Sequence, residues 1–180
     1  MDTQPYGVVY HIHKNSLLEF ASGRTAVSLA SEGLQLDNIT YTAANNRAAR
    51  GYKLVEEWPL VDTAIQEKPG LVYRHGALTD ALGQRWYLPS DDAVLPARLP
   101  KIDFWLLNPQ HSYFAVSNLL EPLKTSEMPT LIVDGRFPYY RMRAWQQLRD
   151  STQLPIHITA IDGALELIAP PQSSAQMAKN

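Results

Sequence analysis

The sequence of 180 residues contains no cysteine. That excludes a disulfide framework, cysteine-ligated zinc and thiol chemistry. Positive charge is not in excess: sixteen Lys and Arg face eighteen Asp and Glu, for a net charge of −2. A broad nucleic-acid-coating surface needs a basic excess and is therefore not expected. No apolar run approaches the roughly 18 residues of a membrane span. Residues 1–5 lack the basic start of a secretory signal. Gly70, Gly76 and Gly83 do not have phosphate-loop spacing, and there is no G-x-S-x-G elbow. What is present is a 45% apolar composition, enough to build a core in one domain.

Residues 6–12 are β-branched and aromatic and predict a strand. Lys14-Asn15-Ser16 reads as a turn, Leu17–Phe20 as a second strand and Thr25–Ala30 as a third, forming a meander. Over residues 33–51 a helix capped by Asp37 and stopped by Gly51 is preferred to a strand, although Ile39-Thr40 is β-branched. Tyr52–Glu56 reads as a strand broken by Trp58-Pro59. Leu71–His75 and Gln84–Leu88 read as two more. Pro89, Pro96 and Pro100 mark residues 89–100 as a loop and the best internal boundary.

The second half is more regular. Pro100 and Pro109 bound a buried strand, Ile102–Leu107. Val116, Leu119, Leu120 and Leu123 share a helical face over 112–124, with Ser112 as N-cap. Thr130–Val133 is a short strand ending in Asp134-Gly135. Pro138 opens a helix over 138–150 with Met142, Trp145 and Leu148 on one stripe. Pro155 introduces a strand, Ile156–Ile161, and Asp162-Gly163 predicts a type I′ hairpin to Ala164–Ile168. Residues 101–169 thus read β-α-β-α-β-β, a parallel core with an antiparallel edge. The fold class is α/β: one domain over 6–169, between a tail at 1–5 and a flexible tail at 170–180.

Candidate chemistry is sparse. His11 and His13 alternate on one strand face, a spacing that suits zinc, but no HxxxH, HExxH or HxHxDH pattern supplies further ligands. A solvated hairpin face is the simpler reading. His157-Ile158-Thr159 matches one H-x-[ST] element of two-histidine phosphoesterases, whose chemistry needs two; a strand histidine is preferred. Arg136, Arg141, Arg143 and Arg149 accompany Phe137, Tyr139, Tyr140 and Trp145, a mixture that suits phosphates and stacked bases. Met142 separates Arg141 from Arg143, and Asp134 and Asp150 flank the cluster. A solvated helix face is the simpler reading here, with a weak DNA contact as the functional one.

The element order carries a resemblance. Val9 to Phe20, then Ser22-Gly23-Arg24, then Lys101 to His111, Pro129 to Gly135, Tyr140 to Trp145, Pro155 to Thr159 and Asp162 to Leu167 follow one another as in the soluble carboxy-terminal domain of ComEC-type competence proteins. The chain resembles that family over about residues 6–169. The resemblance implies a metallo-β-lactamase-like fold with mixed sheets and flanking helices. In catalytic relatives a strand leads into an H-x-H-x-D-H loop whose two metals activate water against a phosphodiester. On that alignment the loop is degenerate here: Asn108, Gln110, Ser112 and Tyr113 stand at the ligand positions, and His111 falls on a spacer. The earlier D-V-G-Q-G-D signature falls on His11 to Ser16, with His11 and Ser16 in place of its aspartates, and the later acidic position falls near Ser31. Neutral amides and hydroxyls do not replace anionic or imidazole ligands. No catalytic residue, metal ligand or cofactor is carried over.

The resemblance implies a soluble accessory domain of a membrane DNA-uptake protein, without metal-dependent nuclease activity. Its implied partners are a channel domain and, weakly, DNA. Its implied place is the inner membrane, on the extracytoplasmic side, with the cytoplasm as the alternative. Two other classes compete. One is a metal-dependent hydrolase drawing ligands from His11, His13, His75, His111 and Asp134. The other is a small cytosolic protein-binding or immunity-type module with one apolar surface patch.

Overall fold

The computed structural model describes residues 4–52, 54–60, 65–90 and 93–168. The tail expected from residue 170, and most of that expected at 1–5, lie outside them. In chain order the elements are β1 (Tyr6–Ile12), β2 (Asn15–Ser22), β3 (Thr25–Ala30), α1 (Leu36–Arg50), β4 (Leu54–Pro59), β5 (Ile65–Lys68), β6 (Leu71–Arg74), β7 (Ala77–Thr79) and β8 (Arg85–Tyr87). They continue with β9 (Phe104–Leu106), α2 (Tyr113–Leu120), β10 (Thr130–Val133), α3 (Tyr139–Ser151), β11 (Ile156–Ile158), α4 (Thr159–Asp162) and β12 (Leu165–Ile168).

Two mixed sheets result, one in the order β12-β1-β2-β3-β4 and one in the order β11-β10-β9-β8-β7-β6-β5. Strand alternation assigns their faces. Val9, Leu18, Phe20, Val27 and Leu29 of the first sheet meet Leu71, Tyr73, Leu78, Trp86, Leu106 and Ile132 of the second. Trp86 sits centrally: Phe104 stacks on it at 4.3 Å, Phe20 meets it edge-on at 5.0 Å, and its indole N–H donates to Asp80 at 2.9 Å. The opposite face of the second sheet, through Trp105, Leu131, Val133 and Ile158, packs on Val116 and Leu120 of α2 and on Met142 and Trp145 of α3. The outer face of the first sheet takes Ile39 and Ala43 of α1. The layers are therefore helix, sheet, sheet, helix, an α/β architecture.

Short hairpin loops set the antiparallel registers. Ile12 pairs with Asn15, so the loop is His13-Lys14 and β2 begins at Asn15, where the sequence had suggested turn. Arg74 pairs with Ala77 across His75-Gly76, and both loop residues have positive φ, 50° and 75°, as a type I′ turn requires. In α1 the N-cap is Gln35, which makes no capping bond; Asp37 falls instead in the first turn. Gly51 ends the helix in left-handed geometry as expected. Ser112 does cap α2, accepting from the Ala115 amide at 3.2 Å. That helix stops at Leu120, short of 124, because Pro122 cannot continue it. β4 runs through Trp58-Pro59, pairing in parallel with β3 to Ala30↔Pro59. Proline is tolerated there because β4 is an edge strand.

The largest departure is at the carboxyl end. β9, β10 and β11 are parallel, as expected of a crossover pattern, and β8 joins them in parallel beside β9. The hairpin expected at Asp162-Gly163 does not form. The Asp162 carboxylate instead accepts from the Ile158 amide at 2.8 Å and from Arg149 at 2.7 Å. This folds Thr159–Asp162 into a helical turn, and β12 crosses to pair with β1 in the other sheet. The antiparallel part of the second sheet is therefore the β5–β8 meander at its far side, not a carboxy-terminal hairpin.

Asp162 also makes an acid-sensitive tie. Burial pushes its carboxyl up, but the Ile158 amide and the Arg149 guanidinium outweigh burial and hold it below the usual carboxylate range. A folded-state pKa below the unfolded one gives stability that is fully present above the unfolded value. That stability is lost as pH falls through the folded value. Melting curves are expected to show wild-type Tm falling faster than that of Asp162→Asn below about pH 4. Equal acid sensitivity of the two proteins would remove Asp162 from this role.

Candidate functional site

One end of the sandwich gathers the carboxyl ends of β9, β10 and β11 and the β1–β2 turn. In open parallel sheets ligands meet the chain at such strand ends. The turn is docked by the Lys14 amide, which donates to the Gly135 carbonyl at 2.7 Å. Only glycine fits at 135: a Cβ there would overlap the Ile12 carbonyl. Beneath the turn, the Ser16 hydroxyl donates to Asp134 and the Ser16 amide to Ser31 Oγ at 3.0 Å. Asp134 is fully buried. Arg136 Nε lies 3.2 Å from each of its oxygens, and another guanidinium nitrogen donates to the Leu107 carbonyl at 3.0 Å. His11 is hydrogen-bonded to Thr159 at 3.1 Å, and Thr159 in turn donates to Val133.

The loop after β9 is built by its own polar side chains. Asn108 donates to the Ser90 carbonyl at 2.7 Å and accepts from the Gln110 amide at 2.7 Å. His111 Nε2 donates to the Ala93 carbonyl at 2.9 Å. Gln110 and Ser112 are exposed, Ser112 as the helix cap. The positions at which the resemblance implies metal ligands are therefore amides and hydroxyls, of which the Asn108 and Ser112 side chains are engaged with the backbone.

These residues do not fit a metal. Among the described residues no group of three His, Cys, Asp or Glu converges on a common point. The atypical ligand set is dispersed. His13 is exposed on the β1–β2 loop, and His75 is exposed in the β6–β7 turn. His11 bonds to Thr159, His111 to the chain before β9, and Asp134 to an arginine. His157 donates to the Gly163 carbonyl at 2.9 Å, and no second H-x-[ST] element faces it.

The four arginines of the sequence cluster divide. Arg136 is turned inward onto Asp134, its side chain 4% exposed. Arg149 is held by Asp162 at 2.7 Å and lies 3.7 Å from Asp150. Arg141 and Arg143 remain on the surface beside aromatic rings. The Arg141 guanidinium lies 6.0 Å from the Tyr140 ring and donates to the Pro109 carbonyl. Arg143 lies 5.0 Å from the Tyr139 ring and donates to its hydroxyl at 3.1 Å.

To Tyr139 and Tyr140, read beside the arginines in the sequence, the structure adds Tyr113 and Phe114. Tyr113, Phe114, Tyr139 and Tyr140 are 51%, 72%, 69% and 69% exposed. They occupy the first turns of α2 and α3, which follow the neighbouring strands β9 and β10. The two helix starts are tied together by the Arg141–Pro109 bond and by Tyr113 packing edge-on against Trp145 at 5.7 Å. Neither first turn contains an acidic residue. The signal available in the sequence was the pair of doublets, Tyr113-Phe114 and Tyr139-Tyr140, each just before its helix's buried stripe.

A cleft of about 560 Å³ opens at the opposite ends of β9 and β10. Its walls carry Arg98 and Lys101 but also Asp103 and Glu127, and Arg85 pairs with Asp103 at 3.0 Å. Mixed charge gives it no preference for an ion of either sign.

Among the described residues no helix is long and apolar enough to cross a membrane. A family model described as the ComEC C-terminal domain matches residues 7–168 of this chain. No match is found among curated proteins or among solved structures.

Proposed function

The chain belongs to the ComEC C-terminal domain family, and from that premise we propose that it serves DNA uptake by holding single-stranded DNA rather than by cutting it. Membership places it among competence-related proteins. The observation that carries the finer reading is the crest of four exposed aromatic rings flanked by Arg141 and Arg143.

Unpaired bases stack on exposed aromatic rings, and every base offers a π-face, so such a platform tolerates sequence. A duplex hides those faces. Arg141 and Arg143 have no carboxylate partner among the described residues and are open to phosphates. The two helix starts add positive dipole ends at the same place. A local platform of this kind does not require a basic protein, which agrees with the net charge of −2.

The helix–sheet–sheet–helix layering supports a retained metallo-β-lactamase-like scaffold. Hydrolysis in such a scaffold would require metal ligands; at those positions Asn108 is committed to the backbone and Ser112 to the α2 cap, while Gln110 and Tyr113 bring no anionic or imidazole ligand. The domain acts beside the membrane channel, with the crest facing the strand in transit.

The test is fluorescence anisotropy with labelled oligothymidylate and with a duplex of equal length, run beside a nuclease assay with manganese. Single strands are expected to bind, duplexes to bind at least about tenfold more weakly, and neither to be cut. Tyr139→Ala combined with Tyr140→Ala is expected to weaken single-strand binding by about tenfold or more, since each stacked base contributes about 1–3 kcal/mol. Arg141→Gln with Arg143→Gln is expected to flatten its salt dependence. Absence of single-strand binding would overturn the DNA reading and leave the crest as a protein-docking face. Cleavage abolished by a chelator would overturn the non-catalytic one.

A further inference from the structure

Asp134 and Arg136 form a buried charge pair at the meeting point of three segments. Their side chains are 0% and 4% exposed. The carboxylate accepts from the Ser16 hydroxyl, from the Arg136 amide at 3.1 Å and from Arg136 Nε at 3.2 Å. The same guanidinium reaches the Leu107 carbonyl, the residue before Asn108. Ser16 and Asn108 are the positions at which the resemblance implies an aspartate of the D-V-G-Q-G-D signature and the first histidine of the H-x-H-x-D-H loop. The arginine thus lies between the two segments that carry the family's lost signatures.

We infer that Arg136 is the resident cation of this end of the sandwich, and that it makes the domain independent of divalent metal. A buried carboxylate requires a counter-charge. A guanidinium supplies one with several donors in a fixed fork, so one side chain answers both Asp134 and the strand-end carbonyl. Unlike a metal, it is covalently part of the chain and cannot be removed by a chelator or by acid. It also repels an incoming divalent cation. The neighbouring Asn108 amide, bonded to Ser90 and Gln110, offers no charge in compensation. The inference is independent of whether the crest binds DNA, because none of its readouts uses DNA.

The experiment is a set of thermal melts and calorimetric titrations with manganese and zinc ions on the whole chain. Wild type is expected to show flat titrations and the same Tm with metal or with chelator. Saturable metal binding that disappears in Asp134→Asn would overturn the inference.

Charge is tested separately. Arg136→Met and Asp134→Asn each leave one buried charge alone and are expected to lower Tm by about 5–10 °C, whereas the double variant recovers at least half of that. Strictly additive losses would overturn the pairing. Arg136→Lys keeps the charge and remains measurable where Arg136→Met does not fold. It is expected to lose less than half as much Tm as Arg136→Ala. Equal losses would show that packing, not the cation, holds this end together.

Discussion

Arg47→Met is expected to destabilise the protein by about 3–5 kcal/mol, the range for breaking one side of a buried ion pair. Arg47 lies on the inner face of α1 and donates to Glu19 and to Ser28, both at 2.7 Å, while Ser28 donates to Glu19 at 3.1 Å. The Glu19 side chain is fully buried on the outer face of β2. Its second oxygen has no partner among the described residues, so the guanidinium is its principal compensation. α1 depends on this arrangement more than most helices would, because among its described side chains the buried apolar ones are Ile39 and Ala43. Removing the arginine leaves a carboxylate in an apolar layer, whereas removing both charges does not. Glu19→Leu with Arg47→Met is therefore expected to recover most of the loss. Urea unfolding measures it as a fall in midpoint at unchanged slope. A single-variant loss of less than about 1 kcal/mol, the value of an exposed pair, would mean that water reaches the carboxylate.

Gly135→Ala is expected to cost about 3 kcal/mol or more, at the upper end for overpacking, because the added methyl meets backbone rather than a yielding side chain. That methyl would overlap the Ile12 carbonyl, and relief requires the β1–β2 turn to leave the end of β10. The move would break the Lys14–Gly135 hydrogen bond and separate Ser16 from Asp134. Lys14 is held at positive φ, 63°, a region uncommon for a non-glycine residue. Amide hydrogen exchange in Gly135→Ala should therefore rise first around residues 13–16, ahead of the inter-sheet core. Unchanged protection there would show that the close approach is not what docks the turn.

Much of the fold is legible along the chain because the relevant signals are local. β-Branched and aromatic residues mark β1 as a strand, and the spacings Val116–Leu120 and Met142–Trp145 state which helix faces are buried. Ser112 and Gly51 mark helix ends by their own chemistry. The loss of the metal pattern is equally local, since Asn108 and Gln110 are visible without coordinates. β5 and β7 were missed because they are three or four residues long and take their identity from neighbours in the sheet. Asp162-Gly163 misled because the side chain of Asp162 had a better use than a turn: it satisfies Ile158 and a distant arginine, Arg149.

The candidate site divides in the same way. Residue types alone determined that this is an α/β chain with arginine and aromatic residues gathered near 136–149 and without an H-x-H-x-D-H pattern, since composition and spacing suffice for each. Tertiary structure decided which arginines are spent. Arg136 turns inward only because Ser16, Leu107 and Asp134, far apart in sequence, meet at one strand end, where a buried carboxylate must be matched. Tyr113 and Phe114 join Tyr139 and Tyr140 only because β9 and β10 are neighbours in parallel, which starts both following helices at the same end of the sheet. Those are long-range pairing choices, set by which backbone and charge partners the whole chain makes available, and no window of sequence contains them.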